Sequence, residues 1–212
     1  WTIPTASSYP YGIYVYGGHV YFTEVIGNKI GRLDPATGVF TEWIIPTVGS
    51  NPYGIYVYGG YVYFTEAGDN KIGRLDPSTG IFTEWTIPTA NSYPEGIYVY
   101  VGYVYFTERD ANRIGRLDPS TGVFTEWTVP TPVSSPVGID VLGGYVYFTE
   151  RGGNKIGRLA VSPVSTITTS VSKTFSHVTT VSIVSTASGT FFSTTMVMSS
   201  TSSTTSVSVS TT

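Results

Sequence analysis

The chain has 212 residues, a formal net charge of -3 and a sequence pI of about 5.3, so it has no basic footprint and nucleic acid is not an expected partner. Only 12% of its residues are charged, about half the share of ordinary soluble domains, which leaves solubility to Thr, Ser, Tyr and Asn. It has no cysteine, excluding disulfides, thiolate metal sites and a cysteine nucleophile, and no apolar run of the ~18 residues that a membrane helix needs.

A 42-residue unit recurs four times without insertion, its phase marked by Trp1, Trp43, Trp85 and Trp127. Taken in chain order, Gly12 to Tyr16 is β-branched and aromatic and predicts a strand. Gly17-Gly18 predicts a tight hairpin turn into a second strand, His19 to Glu24. A short loop with Gly27 and Asn28 leads to a third strand, Lys29 to Leu33. Asp34-Pro35-Ala36-Thr37-Gly38 predicts a turn, because Asp can bond its own backbone, Pro pre-sets φ and Gly accepts a positive φ. Val39 to Ile45 is the fourth strand, ended by Pro46.

The same words return at Tyr63 to Leu75, Tyr105 to Leu117 and Tyr147 to Leu159. Four antiparallel strands per repeat, aromatic on both faces and without helical periodicity, describe a propeller blade covered on each side by a neighbour. The expected fold is therefore all-β: a β-propeller of four four-stranded blades over residues 1–160, followed by a tail over 161–212. In that tail 31 of 52 residues are Ser or Thr, and Lys173 is the only charge. The tail reads as extended or β structure, or as an O-glycosylated stalk. No Asn-x-Ser/Thr sequon occurs in the chain. The first residue, Trp1, suggests a processed or truncated start, as after a removed signal peptide, and an extracellular or cell-surface location is expected.

At the words Pro-x-Gly-Ile-x-Val, Val-Tyr-Phe-Thr-Glu and Asn-Lys-Ile-Gly-Arg-Leu-Asp the chain resembles the streptogramin B lyase (virginiamycin B lyase) family of β-propellers over residues 1–159. The resemblance implies a seven-bladed ring that opens a cyclic depsipeptide by elimination, with a histidine base and a Mg²⁺ ion held by acidic residues at the mouth. That chemistry needs a base for the proton α to a carbonyl and a cation for the developing enolate. The blades hold one histidine, His19, where the other copies have Tyr61, Tyr103 and Tyr145; the other histidine, His177, is in the tail.

Glu24, Glu66, Glu108 and Glu150 end the second strand of every blade and are candidates for an acidic rim binding Ca²⁺ or Mg²⁺. The competing expectation pairs each with Lys29, Lys71, Arg113 or Lys155 of its own blade. Asp69 and Asp110 add acid to that loop in two copies only. Arg32, Arg74 and Arg116 are expected to pair with Asp34, Asp76 and Asp118. The tyrosines are expected to pack between blades, with carbohydrate stacking as the alternative, and Trp43, Trp85 and Trp127 to fill between blades.

Four blades are fewer than seven, and the two ends are complementary: Trp1 and Ile3 read as the end of an outer strand, while the fourth copy loses its outer strand after Ala160. Trp1, Ile3, Ala160, Val164 and Ile167 are accordingly the candidate assembly residues. Because the copies differ so little, no blade is expected to have specialised into an active site. The functional expectation is a non-catalytic structural or adhesive propeller without cofactor that self-associates into an oligomer or filament. The alternatives are a Mg²⁺-dependent lyase of the streptogramin B type and a glycan-binding propeller.

Overall fold

The computed structural model of the chain describes residues 1–161, 180–187 and 190–197. Among them there is no helix. The first sheet contains β1 (Pro10–Tyr16), β2 (His19–Glu24), β3 (Lys29–Leu33) and β4 (Phe40–Ile44) in sequential antiparallel order. The second repeats the pattern with β5 (Pro52–Tyr58), β6 (Tyr61–Glu66), β7 (Lys71–Asp76) and β8 (Ile81–Thr86). The third does so with β9 (Pro94–Tyr100), β10 (Tyr103–Glu108), β11 (Arg113–Asp118) and β12 (Val123–Thr128). The fourth has three strands, β13 (Pro136–Leu142), β14 (Tyr145–Glu150) and β15 (Lys155–Ala160). A separate unit holds the antiparallel pair β16 (Thr180–Ala187) and β17 (Thr190–Val197). The candidate residues Val164, Ile167 and His177 lie outside the described residues.

The first strand of each blade is innermost, with β1 beside β5, β5 beside β9 and β9 beside β13. What brings these strands together is a bulge. The β1–β2 register slips between Pro10 and Ile13, and Gly12 within it lies so close to the next blade that a Cβ would sit 2.3 Å from the Tyr53 carbonyl. The Gly12 N–H donates to Thr23 Oγ1 at 2.8 Å, and that hydroxyl donates on to the Tyr53 carbonyl at 2.9 Å. Thr65 and Thr107 make the same relay to the carbonyls of Glu95 and Val137, each at 3.0 Å.

Behind the relay the blades share their apolar cores. Tyr21, Ile30 and Ile45 of the first blade pack on Ile55, Val57 and Phe64 of the second, and the set repeats between the second and third. Trp43 lies across this junction, 3.6 Å from where a Cβ on Gly80 would be, as expected for filler between blades. An asparagine latches each loop that leads to the next blade. Asn28, in the left-handed region at φ 53, donates to the carbonyls of Ile45 and Thr47 and accepts from the N–H and hydroxyl of Ser50.

The turn after β3 forms as its sequence requires: Asp34 accepts from the Ala36 N–H at 2.9 Å and the Thr37 hydroxyl at 2.7 Å, and Gly38 takes φ 75. Those bonds occupy the aspartate, so the expected Arg32–Asp34 pairing does not form. Arg32 instead donates to Thr41 Oγ1 at 3.3 Å and lies 5.4 Å over the Trp43 ring.

Candidate functional site

The start of each innermost strand and the end of the second strand lie together, as the pairing Pro10↔Glu24 shows. One end of the propeller therefore collects the residues just before and within the bulge and the loop after the second strand. The blades, near-identical elsewhere, differ here. The position of Tyr11 is Tyr53, Glu95 and Val137 in the later copies, that of Tyr9 is Asn51, Tyr93 and Ser135, and that of Val25 is Ala67, Arg109 and Arg151.

The third blade makes the most of this variation. Glu95 is 5% exposed, accepts from the Tyr11 hydroxyl at 3.0 Å through one oxygen, and pairs with Arg109 at 3.3 Å through the other. Arg109 also pairs with Asp110 at 2.9 Å and lies 3.7 Å over the face of Tyr93, a separation at which the ring quadrupole attracts the cation. The Tyr93 and Tyr53 hydroxyls are hydrogen-bonded at 3.0 Å, and Tyr11 meets Tyr53 edge-on at 4.7 Å. Three blades thus contribute to one connected polar and aromatic mouth, at which the third blade differs from the others by Glu95.

Its electrostatics follow from these contacts. The Tyr93 hydroxyl, then burial, push the Tyr53 phenol up to about 12. Burial raises Tyr11, helped by its bond to the Glu95 carboxylate. Both phenols keep their protons at neutral pH; Tyr11 donates its own to Glu95, and Tyr53, which accepts from Tyr93, can donate to a carbonyl, while the Asp110 carboxylate keeps Arg109 firmly cationic. Below the mouth, Tyr14, Tyr56 and Tyr98 continue down the innermost strands with ring centroids 4.5 and 4.6 Å apart.

Of the acidic residues singled out from the sequence, Asp110 joins the mouth through Arg109 and the rest fall elsewhere. Glu24, Glu66, Glu108 and Glu150 are buried inside their own blades rather than gathered on a rim. Nor do they pair with the neighbouring lysines. Lys29 turns to Glu42 at 2.8 Å and Thr5 at 2.6 Å, and Lys71 and Arg113 turn likewise to Glu84 and Glu126. The reason is register: Lys29 and Glu42 are diagonal neighbours across β3 and β4, where Lys29 opposes Ile44 and Gly31 opposes Glu42. Asp69 pairs with Lys71 at 3.4 Å and Asp110 with Arg109. Among the described residues no group of three or more His, Asp or Glu side chains is placed to hold a metal ion. At the mouth Arg109 already occupies both carboxylates, so these residues do not fit a hard cation such as Mg²⁺ or Ca²⁺.

His19 lies at the hairpin end of β2, paired with Tyr16, and its Nδ1 is 3.0 Å from the Gly17 carbonyl. Five strand steps separate it from Glu24, roughly 17 Å at ordinary strand rise, so it does not join the mouth. Trp1 packs at Gly38 as Trp43 does at Gly80, and Thr5 donates to Glu42 as Thr47 does to Glu84. The segment from Trp1 to Thr5 therefore lies where the end of a preceding outer strand would. Ala160 ends β15 and is exposed.

Sequence reasoning singles out Asp110 and the tyrosines of the mouth but not Glu95 and Arg109, whose signal is nonetheless in the sequence. Glu95 and Arg109 stand out once the four copies are laid over one another, as departures from the repeat rather than features of it.

Comparison with known proteins places the chain. A family model described as the virginiamycin B lyase family matches residues 1–196. A solved virginiamycin B lyase from Staphylococcus aureus is 41% identical with a TM-score of 0.71, over 75% of this chain and 55% of its own. A solved streptogramin B lyase is 36% identical with a TM-score of 0.71, over 76% of this chain and 54% of its own. A catalytically inactive histidine-to-alanine variant of the Staphylococcus aureus virginiamycin B lyase, solved with quinupristin, is 36% identical with a TM-score of 0.68, over 78% of this chain and 60% of its own. The chain thus spans little more than half the length of these lyases. No curated protein gives a significant match. With a family model matching over 1–196 and a backbone that follows the solved lyases, the chain belongs to the virginiamycin B lyase family.

Proposed function

We propose that the chain is the ligand-binding part of a streptogramin B lyase-type propeller, and that its axial mouth takes a cyclic depsipeptide which the assembled propeller opens by elimination. The observation that carries this reading is the connected Tyr11–Glu95–Arg109 mouth, built where otherwise near-identical blades differ. The likeness to solved lyases supports it over a non-catalytic adhesive module. In such an elimination a base takes the proton α to a carbonyl, a double bond forms to the neighbouring carbon, and the ester oxygen leaves as a carboxylate.

The described mouth supplies recognition for that reaction. Protonated Tyr53, whose hydroxyl accepts from Tyr93, is a donor for a ligand carbonyl, the tyrosine faces offer stacking surface, and Arg109 holds Tyr93, Glu95 and Asp110 in place around it. Proton removal is not assigned to these side chains, because both Glu95 oxygens are engaged and the phenols hold their protons. His19, at the other end of its strand, is not given that role either.

Calorimetry with a streptogramin B-class cyclic depsipeptide tests the binding. The expected result is saturable binding that Arg109→Ala weakens and His19→Ala leaves unchanged. Elimination conserves mass, so turnover is read as a chromatographic shift with new olefinic proton signals. Absence of both binding and ring opening would overturn the reading.

A further inference from the structure

The end of the propeller away from the mouth carries side chains that packing leaves partly unused. Tyr61 and Tyr103 open the second strands of the second and third blades, at the hairpin end. Beside them stand Arg74 and Arg116. The other cations of these two blades, Lys71, Arg109 and Arg113, each pair with a carboxylate. Arg74 and Arg116 have no ion pair among the described residues. The aspartates two residues on do not serve them. Asp76 accepts from the Ser78 N–H and hydroxyl at 2.9 and 2.6 Å, and Asp118 does the same with Ser120.

Each guanidinium is held between two rings instead. Arg74 lies 4.7 Å over Tyr61 and 5.4 Å over Trp85, and Arg116 lies 4.7 Å over Tyr103 and 5.6 Å over Trp127. Stacking fixes the plane of the group and leaves its in-plane N–H donors for other partners. Thr83 and Thr125 accept from them at 3.3 and 3.2 Å, and Tyr63 and Tyr105 lie directly opposite on the second strand. These hydroxyls leave part of the guanidinium fork unspent, and both arginines are half-buried rather than sealed in.

The hairpin tips beside these clamps add exposed apolar surface. Tyr58 is 42% and Tyr61 is 38% exposed. The turn between Tyr100 and Tyr103 holds Val101, 66% exposed, where the other blades have Gly17, Gly59 and Gly143. Val101 sits at φ 48, in the left-handed region that a β-branched residue enters only under strain. Strain of this kind gathers at ligand-binding places, and here it keeps an apolar side chain exposed next to the second clamp.

We infer that this end binds an acidic carbohydrate, each clamp taking one uronate-type residue. The carboxylate receives the fork of Arg74 or Arg116, and the pyranose ring lies on the tyrosine face beside it. Like clamps on adjacent blades suit a repeating polyanion, whose second residue binds at high effective concentration once the first is seated. A neutral sugar offers the arginines no charge, and an acidic peptide offers the tyrosines no sugar ring. The site is separate from the mouth and does not depend on which ligand the mouth takes.

The probe is oligogalacturonate, titrated by calorimetry into the full chain. Saturable binding is expected. Arg74→Gln and Arg116→Gln, each alone, are expected to weaken it by about a hundredfold, the gain that linking two sites confers, and the double variant to abolish it. Arg74→Lys keeps the charge but not the fork and is expected to bind as weakly as Arg74→Gln. Val101→Gly is expected to raise the melting temperature and yet weaken binding, a pairing of signs that a purely structural role for the turn would not give. Far-UV circular dichroism checks that each variant folds. Wild type that binds no oligogalacturonate would overturn the inference, as would a folded double variant that binds undiminished. Equal binding of the methyl-esterified oligomer or of polyglutamate would also overturn it, since the carboxylate or the sugar ring is then not being read. Those last comparisons need wild type alone and stand whatever the variants do.

Discussion

The Tyr11 hydroxyl in the first blade donates to the Glu95 carboxylate in the third, 3.0 Å away and 84 residues later in the chain. One buried side chain therefore ties together elements two blades apart and, through its second oxygen, fixes Arg109 over Tyr93. Removing one partner of a buried, hydrogen-bonded ion pair leaves the other charge desolvated. Because Arg109 is partly exposed, Glu95→Ala is expected to cost about 3 kcal/mol in urea denaturation, the lower end for a broken buried pair. Glu95→Gln keeps an acceptor for Tyr11 and should cost less. If the two substitutions are equally mild, Glu95 is not the anchor of the mouth.

The latch between blades gives a second prediction. Asn70 donates to the carbonyls of Ile87 and Thr89 at 3.0 and 2.8 Å and accepts from the Ser92 N–H and hydroxyl at 2.8 and 2.7 Å. It does so from the left-handed region, at φ 58, which asparagine tolerates better than most residues. Asn70→Ala strips all of these bonds, and leaving buried backbone groups unpaired costs about 1–3 kcal/mol each. A total loss of several kcal/mol is expected in thermal or chemical unfolding. Asn70→Asp, which keeps the acceptor oxygen but not the two donated bonds, should fall between the alanine variant and wild type.

Close packing inside a blade gives a third. A Cβ on Gly73 would lie 2.2 Å from the Phe64 ring, in a core where Phe64 is fully buried. The ring cannot move aside without displacing the neighbouring Phe82, which it meets edge-on at 6.0 Å. Gly73→Ala is therefore expected to destabilise by about 3 kcal/mol, at the upper end of ordinary overpacking. Gly59→Ala is the control for a glycine in open space, where only the positive φ of 60 is penalised. Differential scanning calorimetry should rank the first variant well below the second.

The fold was legible because its signals are local and repeated. The glycine pair at 17 and 18, the β-branched run before it and the Asp-Pro-Ala-Thr-Gly turn each fix a short stretch of backbone without help from the rest of the chain. The predicted strand limits accordingly fall within two residues of those observed at β1 to β4. Charge pairing was less legible. Spacing alone places Lys29 near Glu24, and only the register of β3 on β4 makes Glu42 the partner. The mouth was hidden for a different reason. Glu95 and Arg109 look like ordinary polar substitutions one at a time, and their meeting with Tyr11 depends on how the innermost strands gather around one axis.

The buried glutamates give a prediction about pH. Glu66 and Glu108 are fully buried, and neither carboxyl oxygen of either has a hydrogen-bond partner among the described residues. Burial, and after it the nearby carboxylates of Glu84 and Glu126, push both groups up to about 8. In the unfolded chain a glutamate titrates near 4.3. Between those values the folded protein keeps a proton that the unfolded chain has released, so the unfolded state gains relative stability as pH rises. The contribution to stability is complete below the unfolded value. It declines by about 1.4 kcal/mol per pH unit for each group, and the decline levels off above about 8, where the folded carboxyl ionises too. Urea unfolding from pH 5 to 9 should show stability falling through neutrality and flattening at the alkaline end. Glu66→Gln keeps the shape of the protonated side chain and removes its titration, so the fall should be shallower by one group's share and the variant should overtake wild type at pH 9. Stability that is flat or rising over that range would mean that the carboxyls enter the folded state ionised.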